Sequence, residues 1–321
     1  MNLLRRTLAV LLVSLLVCPP SFAWGPNGHM AVAYVAYQHV DPAVRTKVNA
    51  LIKLNPYYHK WLAKIPAGTS AHDKAVMLFM IAATWPDQIK AQGSGYKADP
   101  GSTNADRPGP DLTIAARNSG YSDKLYHKYW HFVDTPFTDD GSKLPEIPTP
   151  DAETQIELFR TALASSESQN KKSYDLVWVL HLIGDVHQPL HCATRVSAAH
   201  KDGDRGGNDE LVCTSPTKCT VKLHAFWDDL PGTNSKVSSA IAYAKTLPAA
   251  DSTLAEELDT HKWIEECAAT AQSDVYKAPI GAGDGPFTIT AAYRTSSSTL
   301  ATKQIALAGE RLAAILNVAL K

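Results

Sequence analysis

Apolar residues recur every three or four positions along most of this chain, which is the spacing of an amphipathic helix. Pro42, next to Asp41, suits the first turn of a helix that runs through Leu54. Strand-like alternation is scarce and fits only residues 210–213 and 220–223, on either side of a short cysteine loop. The pattern therefore predicts an all-α fold, a multi-helix bundle with at most one short β-hairpin. The other predicted helices span about residues 28–40, 73–84, 151–165, 174–188, 252–276 and 289–319.

Two long loops are predicted where Gly, Pro, Ser and Asp accumulate, at residues 93–110 and 197–208. His and Asp residues with the spacing of metal ligands lie on both sides of each loop, so neither loop resembles a linker between domains. No internal repeat is visible. We therefore expect residues 24–321 to form a single domain.

The first 23 residues have the features of a secretory signal peptide. Two arginines supply the positive start, residues 8–17 form a short apolar run, and residues 21–23 form a small-x-small cleavage site. The apolar run is too short to anchor the chain in a bilayer. The sequence therefore predicts an exported protein, periplasmic or secreted, whose mature chain begins at Trp24. Lipoprotein processing at Cys18 is the alternative, although the two residues before it are larger than expected.

Four cysteines remain after this cleavage, and an even number in an exported protein favours two disulfides. The short loop from Cys213 to Cys219, with Pro216 inside it, predicts one pair, which leaves Cys192 with Cys267 for the other. Four buried thiols are the alternative. A zinc site made of these cysteines is not expected, because the chain has no Cys-x-x-Cys.

Candidate chemistry is concentrated in two His-x-x-x-Asp pairs, His181 with Asp185 and His224 with Asp228. Residues four positions apart lie on one face of a helix, so each pair can bind one ion. A proline ends the first helix, and the following turn can bring His191 toward a neighbouring ion. Each pair alone could be an ordinary polar helix face. Apolar and aromatic neighbours weaken that alternative, because unpaired charges would be costly there.

Four further residues are ambiguous when each is taken alone. Asp87 could be a capping carboxylate, and His131 could be an ordinary core histidine. Trp24 would usually be a packing aromatic. Signal cleavage would, however, make Trp24 the mature N-terminus, whose amine and carbonyl can chelate a metal together with His29.

Taken together, these residues resemble the zinc-dependent single-strand-specific nucleases, the 3′-nucleotidase/nuclease family of the nuclease P-one type. The matching motifs occur in the family's order and fill every ligand position. After Asp228 the chain carries no motif. The motifs are Trp24-Gly25-x-x-x-His29, Trp85-Pro86-Asp87, His131-Phe132-Val133-Asp134, His181-x-x-x-Asp185 followed by Gln188-Pro189-Leu190-His191, Gly206-Gly207-Asn208, and His224-x-x-x-Asp228.

The resemblance implies a cleft in the helical bundle that binds three Zn²⁺. One zinc would be bound by Asp87, His131, His181 and Asp185. A second would be bound by the amine and carbonyl of Trp24, by His29 and by Asp185, which bridges the pair. The third, more open zinc would be bound by His191, His224 and Asp228.

The resemblance also implies an endonuclease that hydrolyses single-stranded DNA and RNA to 5′-phosphorylated products, with 3′-nucleotidase activity. A hydroxide that bridges two zincs would attack the phosphate, with Asp87 and Lys90 as catalytic residues. Phe132, Asp134 and Asn208 match positions that stack on or hydrogen-bond a nucleobase. The ordinary alternatives are simple packing for Phe132 and a solvated charge for Lys90.

The charge balance agrees with a local phosphate site. Removal of residues 1–23 takes away two arginines and no acid, so the formal charge changes from −1 to −3. A protein that held nucleic acid on a broad basic surface would carry excess positive charge. Three Zn²⁺ would place six positive charges at one spot. We expect single-stranded nucleic acid and 3′-nucleotides as substrates, no membrane association, no stable protein partner and a monomer.

Two other functions remain as alternatives. A zinc-dependent phospholipase C has a related site, but that family spaces the first Trp and His farther apart and ends its cluster with His-x-x-x-Glu. Here the spacing is short and the last residue is Asp228. A non-catalytic periplasmic zinc-binding protein would favour sites that its own ligands saturate, whereas these ligands leave positions open to water.

Overall fold

The computed structural model describes residues 24–102, 107–283 and 285–321, so the predicted signal peptide lies outside the described residues. The α-helices are α1 (Pro26–His39), α2 (Pro42–Ile52), α3 (Tyr58–Leu62), α4 (Ala71–Ala82), α5 (Trp85–Gln88), α6 (Leu112–Ala115), α7 (Ala152–Ala164), α8 (Gln169–Asp185), α9 (Leu223–Asp228), α10 (Val237–Ala244), α11 (Ser252–Glu256), α12 (Thr260–Thr270) and α13 (Ala291–Ala319). The strands are β1 (Pro136–Thr138), β2 (Thr194–Val196), β3 (Leu211–Cys213), β4 (Val221–Lys222) and β5 (Phe287–Thr288).

Helix α8 lies at the centre of the fold. Every residue from 173 to 185 is buried, which explains why this segment is apolar on nearly all sides. Helices α7, α2, α13, α5 and α1 pack around it. Polar side chains at its end are therefore enclosed by the bundle.

The longest helix, α13, packs along α1. Gly309 allows this close approach, because a Cβ on it would lie 2.5 Å from the Val35 side chain. The contact fixes α1 against the bundle and so fixes the position of His29, which α1 carries.

The mostly helical fold class is confirmed, with one predicted helix divided in two. The segment 252–276 forms α11 and α12, followed by a π-helical turn (Ala271–Val275). The second helix has its own start signal, because the Asp259 carboxylate accepts a hydrogen bond from the backbone N–H of His261 at 2.9 Å and caps α12. Helices α3, α5, α6 and α10 lie in segments for which periodicity predicted no helix.

The predicted hairpin is present as β3 and β4, which pair antiparallel with Leu211 opposite Lys222. The structure has more strands than this hairpin. Strand β5 pairs parallel with β3, and β1 pairs parallel with β2. These strands have two or three residues, too few for alternation to be recognised in the sequence.

Both predicted disulfides are present. Cys213–Cys219 closes the loop between β3 and β4, and Cys192–Cys267 joins the segment after α8 to α12. Within the described parts of the chain, no helix combines the length and apolarity needed to cross a bilayer.

Candidate metal centre

Five ligand-type side chains meet at the end of α8, and we call His29, Asp87, His131, His181 and Asp185 the α8 group. Asp185 Oδ1 lies 3.3 Å from His29 Nε2, and Asp185 Oδ2 lies 2.9 Å from His131 Nδ1. His181 Nε2 is 3.3 Å from the same Oδ2 and 3.6 Å from Asp87 Oδ1. The predicted pair on α8 does share one face, and its carboxylate contacts three imidazoles.

The His29 ring is positioned by the close approach of α1 to α8. It stacks on the His181 ring with the centroids 3.8 Å apart. Gly184 provides the space, because a Cβ on it would lie 2.9 Å from His29 Nδ1. His29 Nε2 then faces Asp185 and Asp87, whose nearest carboxylate oxygens are 3.3 and 3.9 Å away.

His131 is positioned by a buried charged cluster just before it. It ends the 3₁₀ turn Lys128–His131, which His127 precedes in a left-handed conformation (φ 40°). The His127 ring lies between Asp99 and Asp123, with Nε2 2.9 Å from an Asp123 oxygen. Burial lowers the pKa of His127, but hydrogen bonds to the two carboxylates outweigh it and raise the pKa overall. The cluster anchors the turn.

Three more ligand-type side chains, His191, His224 and Asp228, form what we call the α9 group. The Nε2 atoms of His191 and His224 are 3.0 Å apart, and Asp228 Oδ2 is 3.6 Å from His224 Nε2. Gln188 donates a hydrogen bond to Asp228 Oδ1 at 2.8 Å and orients that carboxylate. The turn after α8 thus brings His191 to the second pair, as the sequence predicted.

Backbone carbonyls fix the protonation pattern of three of these rings. A carbonyl only accepts, so each contacting Nδ1 carries the proton and donates it, and each Nε2 presents a lone pair to the site. The three hydrogen bonds run from His181 to Ala83 O at 2.8 Å, from His191 to His131 O at 2.7 Å, and from His224 to Gly206 O at 2.7 Å.

A glycine loop holds His224. Gly206 and Gly207 have φ of +59° and +75°, which other residues rarely adopt. The backbone N–H of His224 donates to Gly207 O at 3.2 Å. Buried Asp204 anchors the loop, because its carboxylate accepts from Arg195 N at 3.0 Å and from the Tyr276 hydroxyl at 2.7 Å.

Burial decides the charge state of both groups, since none of the eight residues is more than 6% exposed. Burial lowers the pKa of all five histidines, to about 4 for His29 and His224, so the rings are neutral near pH 7. It raises the pKa of Asp185 and Asp228 well above the usual range. Without positive charge beside them these buried carboxyls would be protonated, so a bound cation would stabilise their anionic form.

The arrangement fits metal binding. His191 and His224 direct their Nε2 atoms at each other across 3.0 Å, an arrangement that a cation bound to both lone pairs would stabilise. Buried atoms of the α8 group also lack hydrogen-bond partners, among them His29 Nε2, Asp87 Oδ2 and His131 Nε2. Imidazole nitrogens together with carboxylate oxygens are a donor set that zinc accepts.

Three sets of ligand atoms among the described residues are compact enough to hold a metal ion, each within 4.8 Å. The α9 group forms one set, as predicted for the third zinc. The other two sets divide the α8 group and share His181. Which residue binds which ion stays a prediction. The two sets from the α8 group are His29 with Asp87 and His181, and His131 with His181 and Asp185.

Trp24 lies beside the α9 group. The backbone N–H of Gly25 donates to Asp228 O at 2.9 Å, which holds the start of the described chain against α9. The Trp24 side chain is fully buried and packs in the hydrophobic core. The role of its amine and carbonyl as ligands stays a prediction.

Lys90 is a buried cation within the site. Its side chain is 5% exposed, and its ammonium donates to Asp87 Oδ1 at 2.8 Å. The alternative of a solvated surface charge is therefore wrong. A positive charge this close to the ligand carboxylates can also contact an anion bound there.

The three predicted nucleobase contacts lie next to ligands in the chain. Phe132 and Asp134 are half-buried and follow His131. The segment is held because the N–H of Val133 donates to His191 O at 2.7 Å. Asn208, also half-buried, follows the glycine loop and donates to Arg205 O at 2.9 Å. Their contact with a base stays a prediction.

Several supporting residues were missed in the sequence. Gly184, Asp204 and the cluster around His127 act through space or through long-range hydrogen bonds, and the carbonyls of Ala83 and Gly206 carry no side-chain signal. Gln188 had a signal, since it opens the Gln-Pro-Leu-His motif that ends at a predicted ligand.

Comparisons with known proteins bear on this site. A sequence model of the S1/P1 nuclease family matches residues 24–321, a range that includes both ligand groups. Endonuclease 2 of Arabidopsis thaliana, a curated relative, is 31% identical over 180 residues. That alignment covers 51% of this chain and 57% of the relative, so the chain spans a little over half of the relative's length.

Proposed function

The chain belongs to the S1/P1 nuclease family, and we therefore propose that it is a zinc-dependent nuclease of single-stranded DNA and RNA. It leaves 5′-phosphates and also removes the phosphate from 3′-nucleotides. The main observation in support is the buried pair of unprotonated imidazole nitrogens, 3.0 Å apart, next to buried carboxylates. A cation bound between these nitrogens would accept both lone pairs and neutralise the adjacent carboxylate.

Three zinc ions are the proposed cofactors. The α8 group together with the Trp24 amine and carbonyl would bind two of them, and the α9 group would bind the third. When bound, zinc supplies a Lewis acid that lowers the pKa of water and neutralises phosphoryl charge.

The residues of this chain supply the rest of the chemistry. Asp87 accepts the proton of the attacking water, while the Lys90 ammonium donates to a phosphoryl oxygen on which negative charge develops. The water oxygen forms the new bond to phosphorus, and the bond from phosphorus to the 3′ oxygen breaks. The leaving 3′ oxygen takes up a proton from solvent and Asp87 returns its proton to solvent, so the products are a 3′-hydroxyl and a 5′-phosphate.

Single-strand preference follows from the recessed position of the site. Phe132 stacks on a base while Asp134 and Asn208 hydrogen-bond to its edge, and the adjacent phosphate enters the buried centre. A base that is paired and stacked in a duplex cannot leave its partner to make these contacts without an unpairing cost. A 3′-nucleotide meets the same requirements.

Export completes the proposal. The two disulfides are typical of oxidising compartments outside the cytosol. Cleavage after Ala23 would free the Trp24 amine next to Gly25, whose N–H already bonds to Asp228. Metal binding would therefore be completed only in the processed protein.

The test uses processed, zinc-loaded protein with a single-stranded oligonucleotide, its annealed duplex, RNA, 3′-AMP and lecithin, each with and without chelator. We expect chelator-sensitive cleavage of the single strands and 3′-AMP, and slower cleavage of the duplex. Equal rates on strand and duplex contradict the single-strand preference. Phosphocholine release would instead support a phospholipase C, and no turnover would support a zinc-binding protein.

A companion variant carries one extra residue before Trp24. It should lose zinc and activity together, because its amine is displaced from the site. Full zinc content and full rate in that variant would remove the Trp24 amine from the proposed ligands.

A further inference from the structure

Two lysines lie on the separate segments that carry His131 and the α9 pair. Lys128 opens the 3₁₀ turn that ends at His131, and Lys222 is the residue immediately before α9, two positions before His224. Both side chains are half-buried, so neither is simply extended into solvent. Neither belongs to the ligand or nucleobase contacts proposed above.

The two segments meet at His191. Its Nδ1 donates to His131 O at 2.7 Å, and its Nε2 lies 3.0 Å from His224 Nε2. Strand pairing of Lys222 with Leu211 and the hydrogen bond from His224 N to Gly207 O fix the second segment. Both lysines thus lie on backbone segments that these contacts fix next to the candidate ligands.

A third lysine lies on another segment that carries a candidate ligand. The Lys90 ammonium donates to Asp87 Oδ1 at 2.8 Å. Lys90, Lys128 and Lys222 are thus each within three residues of a candidate ligand, on three separate segments of the chain. The chain without residues 1–23 has more acidic than basic residues. The positive charge near the site is therefore a local feature and does not reflect a generally basic protein surface.

We propose that Lys128 and Lys222 bind the backbone phosphates next to the scissile phosphate of a single strand. This inference rests on the proposed function. A lysine ammonium is a point charge that suits a phosphate in any sequence, so the two residues add affinity for the polymer without base selectivity. A 3′-nucleotide has no neighbouring phosphate and gains nothing from them. The two lysines therefore set the preference for polynucleotide over mononucleotide.

The experiment compares Lys128→Gln, Lys222→Gln and the double variant on a short single-stranded oligonucleotide and on 3′-AMP. The ratio of kcat/KM for the oligonucleotide to that for 3′-AMP should fall about threefold for each single variant and about tenfold for the double variant. The fall should come from KM rather than kcat. The dependence of log KM on log salt should weaken by about 0.7 for each lysine removed.

Controls separate this role from damage to the site. Lys303→Gln, an exposed lysine on α13, should leave the ratio and the salt dependence unchanged, and Lys222→Arg should retain the wild-type ratio. Zinc content is measured for every variant. Equal losses on both substrates, or an unchanged oligonucleotide KM in active variants, overturn this inference alone. A wild-type protein that cleaves neither substrate overturns the proposed function and this inference with it.

Discussion

The two His-x-x-x-Asp pairs have the same spacing but very different support. In the α8 group, the pair ends a helix of 17 residues that is buried in the middle of the bundle. In the α9 group, the pair lies on a helix of six residues. Loop carbonyls, Gln188 and the backbone of Gly25 hold that short helix in place. The same motif is thus held by a long buried helix in one group and by a short helix and loops in the other. The two groups should therefore respond differently to mutation.

The candidate ligands of the α8 group share one central carboxylate. Asp185 joins three imidazoles within 3.3 Å, so the loss of its charge affects the whole group. In the α9 group, each ligand has its own support, from His131 O, Gly206 O or Gln188. The first group should fail as a unit, whereas the second should weaken one ligand at a time.

Asp185→Asn should have the largest effect. The amide cannot bridge cations, so we expect loss of the ions bound by the α8 group and a fall in kcat/KM of at least ~10³-fold. The ion of the α9 group should remain. Zinc analysis together with kinetics on a single strand checks both points.

The control for this variant is Asp202→Asn, whose side chain is 85% exposed, and it should behave like wild type. If Asp185→Asn released all the zinc, the two groups would not be independent. If it kept full zinc and rate, Asp185 would not be a shared ligand.

Asp204→Ala should have a smaller effect, confined to the α9 group. It removes the acceptor for Arg195 N and for the Tyr276 hydroxyl, so the loop that orients His224 through Gly206 O loosens. We expect a loss of about 10–100-fold in the affinity of one zinc ion, the range found for residues that support ligands. Calorimetric zinc titration measures it.

Two further variants sharpen this test. Asp204→Asn keeps a carbonyl oxygen for Arg195 N and should recover most of the affinity. Asp209→Asn, in the same loop but exposed, should have no effect on zinc affinity. Weakened binding of all the zinc ions in Asp204→Ala would mean that the loop supports more than the α9 group.

The same contrast explains what could be predicted from the sequence. The α8 pair needed only helical periodicity, and a central helix guarantees the geometry once it forms. The position of His131 depends on His127 between Asp99 and Asp123, and 24 positions separate the two acids in the chain. Residue spacing carries no information on such a contact.

The contributions of backbone carbonyls to the site could not be predicted from the sequence either. The tautomers of His181 and His224 depend on the carbonyls of Ala83 and Gly206, which any residue type would offer. The break before α12 shows the same limit, because the capping carboxylate of Asp259 begins a new helix inside a segment that periodicity predicts as one helix. The family resemblance identified the candidate ligands themselves. It did not identify the residues and backbone carbonyls that orient them.

Gly184→Ala should have the smallest effect and tests the α8 group at its closest contact. The new Cβ would lie 2.9 Å from His29 Nδ1, so the ring must shift within a stack that already has a 3.8 Å spacing on His181. Alanine also favours the helix by about 1 kcal/mol, so the melting temperature should hold or rise. The zinc affinity of the α8 group and kcat/KM should nevertheless fall about threefold to tenfold, because the His29 ring is displaced slightly from its position as a ligand. Gly281→Ala is the matched control, because its Cβ would meet Phe287 at an ordinary 3.6 Å. An unchanged rate in Gly184→Ala would show that His29 can move without loss, and that the α8 group tolerates displacement as well as the α9 group does.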